Sequence, residues 1–156
     1  MNSAQIAPEL AVSRWFNTPA PLTLAGLRGR PVLIHAFQML CPACVAHGTP
    51  QAEKAHRMFR ETDLQVIGLH TVFEHHAAMA PAALEAFIAE YGLTMPIGVD
   101  EAGSDSRIPV TMARFAMQGT PTAILIGRDG HIRYHGFGKD DDMALGARIA
   151  QALDPG

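Results

Sequence analysis

The chain is short of cysteine, short of aromatics and has no large excess of either charge. It carries two cysteines, one tryptophan and 6% aromatic residues, and 12 Lys and Arg stand against 15 Asp and Glu for a formal charge of −3. A near-neutral, slightly acidic chain with a pI of about 6.2 lacks the basic face that nucleic acid demands, which excludes it as the main partner. No apolar run reaches the roughly 20 residues that span a bilayer, so no membrane partner is expected. The start, "MNSAQIAPELAVSRWF", has neither the charged opening nor the apolar stretch of a secretory signal. A cytoplasmic location is therefore expected, where structural disulfides are rare. A pair of cysteines there reads as catalytic or metal-binding rather than as a staple.

What is present suits one ordinary globular domain, 1–156, with 48% hydrophobic and 17% charged residues and no repeat or linker. "PVLIHAF" (31–37) and "LQVIGLH" (64–70) read as buried strands. Between them Val45, Gly48, Ala52, Ala55 and Phe59 recur at steps of three and four, a helical stripe. "PAALEAFIAEY" (81–91) places Leu84, Phe87, Ile88 and Tyr91 on one helical face, with Pro81 near its start. "PIGVD" reads as a short strand, "PVTMARFA" as a short helix, "TAILIG" and "HIRYHGF" as a hairpin around "RDG", and "DDMALGARIAQAL" as a closing helix. Strands joined by helical crossovers imply parallel pairing, and the late hairpin adds antiparallel edges. The expected class is α/β: a central mixed sheet flanked by helices on both faces.

Both cysteines lie in "HAFQMLCPACVAHGTPQ" (35–51), between the first long strand and the first long helix. Unpaired N–H groups and the helix dipole stabilise a thiolate at a helix start, so Cys41 has the setting of a nucleophile. Cys44 lies one turn deeper, and helical i, i+3 neighbours are about 5–6 Å apart, within reach of a disulfide. Pro42 takes the first helical position, where a missing N–H costs nothing. Two other readings share these residues: buried free cysteines, and a zinc site using Cys41, Cys44 and His47. Zinc wants a fourth ligand, which only "EHH" (74–76) or another distant histidine could supply. Pro50 cannot donate to the Ala46 carbonyl, so a kink or bulge is expected there.

The strand–"CPAC"–helix opening, followed by "GTPT" (119–122) before a strand and then by "GRDGHIRYHGFG", resembles the thioredoxin superfamily. More narrowly it resembles the TlpA- and ResA-like thiol–disulfide oxidoreductases and their redoxin relatives, over roughly residues 10–153. The lead-in "FNTPAPLTLAGLRGRPVLIHAF" is similar to that group's N-terminal strand pair and L-x-G turn, and the extra helix before "MPIGVD" to its helical insertion.

The resemblance implies a thioredoxin-like fold and an enzyme that exchanges a Cys41–Cys44 dithiol with protein disulfides, as a reductant restored by an upstream thiol. Cys41 is then the nucleophile and Cys44 the resolving thiol. Pro121 matches the cis-proline facing the disulfide, with Thr120 offering backbone to a substrate strand, and Leu40 and Pro42 beside Cys41 as docking surface. His35, six residues before Cys41, stands where thioredoxins bury an acid, and could take the Cys44 proton or simply be a core histidine. Glu74 resembles the glutamate that TlpA-like proteins place near their cysteines, as a partly buried proton shuttle. No cofactor beyond the Cys41–Cys44 disulfide, no metal and a monomeric state are expected. The chain departs from the pattern at Leu40, where tryptophan is usual, and at Gln38–Met39, so partner preferences do not carry over. A thiol peroxidase is a weaker reading, because the peroxide-holding threonine is replaced by Gln38. A redox switch or zinc module using Cys41, Cys44 and His47 is the non-enzymatic one.

Overall fold

Apolar alternation along the strands sets the layers. The computed structural model describes residues 5–155. Six strands, β1 (Val12–Phe16), β2 (Val32–Phe37), β3 (Gln65–His70), β4 (Ile97–Asp100), β5 (Thr122–Ile126) and β6 (Ile132–Phe137), form one sheet. Their spatial order is β1-β4-β3-β2-β5-β6. The β2–β3 and β3–β4 pairs are parallel, whereas β1–β4, β2–β5 and β5–β6 are antiparallel. This is the expected mixed sheet. The lead-in differs from its expected form: it gives the single strand β1, while Ile6 makes only one bridge, to His131.

The helices are α1 (Thr49–Met58), α2 (Pro81–Tyr91), α3 (Val110–Arg114) and α4 (Asp142–Leu153). Leu33 and Phe37 of β2 point to one face and pack with Ala52 and Ala55 of α1, Leu84 and Ile88 of α2, and Leu145 and Ile149 of α4. Val32, Ile34 and Ala36 point to the other, toward Leu24, Leu27, Met112 of α3 and Phe115 just after it. A strand buried on both faces explains why "PVLIHAF" is apolar at every position but His35. Tyr91, expected on the buried face of α2, is instead exposed and rests its ring on Phe87 at 4.5 Å. Among the described residues no helix is long and apolar enough to cross a membrane.

The chain is helical from Pro42, but its second turn is widened into a π-turn over Cys44–Gly48 before α1 begins. The Thr49 N–H donates to the Cys44 carbonyl, five residues back. Pro50 has no N–H for the Ala46 carbonyl, so the bulge expected at this proline is found here. Gly48 permits it to sit close: a Cβ there would lie 2.8 Å from His35 Cε1 and 2.9 Å from Pro121 Cβ. The π-turn, β2 and the Thr120–Pro121 turn therefore meet at one point.

Candidate active site

Cys41 ends the loop that leaves β2. Its N–H donates to the Gln38 carbonyl at 3.2 Å and its carbonyl accepts from Val45 N–H at 3.0 Å, so it caps the helix. A helix start leaves N–H groups unpaired. One of them, that of Cys44, donates to Cys41 Sγ at 3.2 Å. A sulfur bearing negative charge gains from that hydrogen bond and from the helix dipole. Cys44 is 0% exposed while Cys41 is half-buried, and both are free thiols. Burial, together with the neighbouring Cys41 thiol, pushes the Cys44 thiol up to about 12. The two sulfurs thus divide labour: one reachable, the other held back as a neutral thiol.

The Thr120–Pro121 turn faces them, and its peptide bond is cis. The Cys41 thiol donates to the Thr120 carbonyl at 3.6 Å. Pro121 is buried, and its carbonyl accepts from Gly138 N–H at 2.8 Å. Leu40 stands 56% exposed beside Cys41, and Pro42 is exposed next to it. Phe137, 53% exposed, pairs with Thr122 and lies where its ring would meet a Cβ at Gly119. Leu40 is therefore exposed apolar surface beside Cys41, and Phe137 exposed apolar surface beside the Gly119–Thr120 turn. Phe137 escapes sequence reading because its place depends on the β5–β6 register.

The acid and base candidates fall out differently. His35 is buried on the helix side of β2, its ring stacked on Phe37 at 5.3 Å with a 2° tilt. Its Nε2 shares a 2.9 Å hydrogen bond with Thr49 Oγ1, and burial lowers its pKa to about 3. It is a neutral imidazole under the π-turn, tied to Thr49 rather than to a cysteine. Glu74, expected to be partly buried, is exposed and reaches the site only through Gln38, whose Nε2 lies 3.5 Å from Glu74 Oε1. The loop after β3 carries it outward because Phe73 and Val72 take the inward positions. His47 turns to the Asp140 carbonyl at 2.7 Å. Among the described residues no three His, Cys, Asp or Glu side chains converge as metal ligands.

Two residues complete the site unannounced by any motif. His70, the last residue of β3, is buried, and burial lowers its pKa to about 4. Its Nε2 accepts from Met39 N–H at 3.2 Å and so steadies the loop leading to Cys41. Gln38 is 1% exposed and bridges Phe73, Glu74 and Thr120. The signals were present, a polar residue closing each of two apolar strands, but only the Phe37–His70 register brings them to the cysteines.

A half-buried thiol at a helix start, a buried partner one turn on and a cis Thr-Pro turn across from them are the elements of a thioredoxin-like fold. The Redoxin family model matches residues 3–150. The chain belongs to the Redoxin family. This Redoxin domain is 46% identical to a thiol-disulfide isomerase from Corynebacterium glutamicum, with a TM-score of 0.92 over 100% of both chains. It is 50% identical to a thioredoxin-like superfamily protein of known crystal structure, with a TM-score of 0.94 over 98% of this chain and 99% of that one. StoA from Bacillus subtilis shares the fold at 20% identity, with a TM-score of 0.68 over 88% of this chain and 98% of its own. No curated protein sequence matches the chain.

Proposed function

We propose that this Redoxin domain is a dithiol–disulfide oxidoreductase acting on protein disulfides, with reduction as its net direction. The Cys41 thiolate attacks one sulfur of a substrate disulfide. A Cys41–substrate bond forms, the substrate bond breaks, and the departing thiolate takes a proton. Cys44 then loses its proton and attacks Cys41 Sγ, closing Cys41–Cys44 and releasing the second substrate thiol. The substrate has gained two electrons and the dithiol has lost them, and an upstream dithiol reverses the change. Thr120 would pair its backbone with the extended substrate, and Leu40, Pro42 and Phe137 would receive apolar neighbours of the substrate cysteine.

The observation that carries this reading is the unequal pair: Cys41 half-buried, its Sγ held by Cys44 N–H at 3.2 Å, with the Cys44 thiol fully buried. The similarity to a thiol-disulfide isomerase at 46% identity supports the same class. His35, tied to Thr49, is proposed to hold the π-turn that carries Cys44. Glu74 is proposed to act on the thiols only by way of Gln38. The test is Cys44→Ser incubated with a disulfide-bridged peptide. It should accumulate a Cys41–peptide adduct by mass, whereas the parent protein releases reduced peptide. No adduct from a variant whose Cys41 still alkylates normally would end the proposal.

A further inference from the structure

The chain turns sharply between β2 and the helix that Cys41 opens. The Cys41 N–H donates to the Gln38 carbonyl at 3.2 Å, closing a β-turn with Met39 and Leu40 at its centre. That bond leaves the Met39 N–H outside the turn's own hydrogen bonding. Met39 is 8% exposed, so its N–H needs a partner within the protein. The partner is Nε2 of His70, at the end of β3, 3.2 Å away. A backbone N–H can only donate, so Nε2 is the bare ring nitrogen and the ring proton sits on Nδ1. The ring has little freedom to do otherwise. His70 is 1% exposed, pairs with Phe37 in the β2–β3 register and lies 5.1 Å from the Phe37 ring. Two neighbouring bonds hold the same stretch: Thr71 N–H to the Phe37 carbonyl at 3.0 Å, and Phe73 N–H to Gln38 Oε1 at 3.2 Å. Of the three, the His70 bond is the one that grips a central residue of the turn.

We infer that His70 is a positioning residue for the nucleophile: as the Nδ1–H tautomer it holds the Gln38–Cys41 turn at Met39, and so sets Cys41 Sγ against the Cys44 N–H. The inference rests on the dithiol reading proposed above, in which Cys41 makes the first attack. Cys41 enters the helix directly from this turn, and its Sγ accepts from Cys44 N–H at 3.2 Å. A thiolate gains from that bond, and from the helix dipole, only while the turn presents the sulfur at the helix start. With no acceptor at position 70 the Met39 N–H is orphaned in the interior, and the turn must move to satisfy it. Leu40, exposed beside Cys41, moves with it. His70 thus acts on Cys41 through the backbone of Met39.

Ring-nitrogen NMR of the reduced parent protein at neutral pH should find the His70 proton on Nδ1, and a proton on Nε2 overturns the inference. Alkylation of Cys41 by iodoacetamide, followed by mass over a pH series, then reports formation of the thiolate. His70→Leu, which fills the space and removes the acceptor, should move the midpoint of that series up by about one unit and slow alkylation at pH 7 about tenfold. His70→Gln places a carbonyl oxygen within reach of the Met39 N–H and should bring both most of the way back. A residue that served the core alone would lower the melting temperature of His70→Leu and leave the midpoint where it was. The inference is therefore overturned by a His70→Leu midpoint equal to the parent's, or by a folded His70→Gln that behaves like His70→Leu. Should His70→Leu fail to fold, His70→Asn, whose amide ends short of Met39, takes its place under the same criterion. A Cys44→Ser protein whose Cys41 alkylates normally yet forms no adduct with a disulfide peptide overturns the dithiol reading instead; the tautomer and the midpoints still decide this one.

Discussion

Gly48→Ala sets two opposing effects against each other. Gly48 has helical angles, φ −62° and ψ −47°, so the backbone accepts alanine without strain. Propensity alone would then favour the change by about 1 kcal/mol. The added methyl, however, would lie 2.8 Å from His35 Cε1 and 2.9 Å from Pro121 Cβ. Carbon pairs settle at about 3.5–4.0 Å, so both neighbours would have to retreat by several tenths of an ångström. Neither can do so freely: His35 is stacked on Phe37 and bonded to Thr49, and Pro121 is buried with its carbonyl tied to Gly138. Overpacking of this kind costs about 1–3 kcal/mol. The net expectation is a loss of up to about 2 kcal/mol, and at about 2–4 °C per kcal/mol for a domain of this size a melting temperature lower by up to several degrees. Calorimetry and urea unfolding with an unchanged slope would read it. A Gly48→Ala protein that melts above the parent would refute the reasoning, because it would show that the His35–Pro121 contact is not tight.

Three further outcomes follow from the same structure. In the reduced protein at pH 8, iodoacetamide should label Cys41 and spare Cys44, because a thiol pushed up to about 12 is ionised about a thousandfold less than one at 9.0; equal labelling by mass would contradict it. Folding should weaken as pH falls from 7 to 5. His35 and His70 titrate in the folded state at about 3 and about 4 but near 6.5 unfolded, so the unfolded chain binds more protons across this window. The two together remove on the order of 3 kcal/mol, and urea midpoints at the two pH values measure it. Glu53→Ala should destabilise by on the order of 3 kcal/mol in denaturant titration, since it leaves the Thr94 and Met95 N–H groups, which now donate to Glu53 at 2.8 and 3.0 Å, without a partner.

Periodicity made most of the fold legible. The α2 limits 81–91 and the position of β2 followed from apolar spacing, because a helix or strand buried on a known face has little freedom in sequence. Cys41 and Cys44 could be singled out for the same kind of reason, because their placement between a strand end and a helix start is local, whereas Pro121 was reached only through the resemblance to the thioredoxin superfamily. Glu74 and Phe137 show where that ends. One looked like a partly buried acid and is exposed, and the other looked like a strand residue and lies exposed against Gly119, next to Thr120.

The sequence alone determined the class of sheet, the helix start under Cys41 and the break that Pro50 imposes. These depend on backbone hydrogen bonding within a few residues. Only the tertiary structure decided which way Gln38 points, that His35 meets Thr49 instead of a cysteine, and that His70 supports the loop before Cys41. Those contacts join residues 14 to 35 positions apart: the first runs from β2 to α1, and the other two cross between the ends of the parallel strands β2 and β3. Such strands can slide by a residue without changing any local preference, so their register is settled only when the whole core packs.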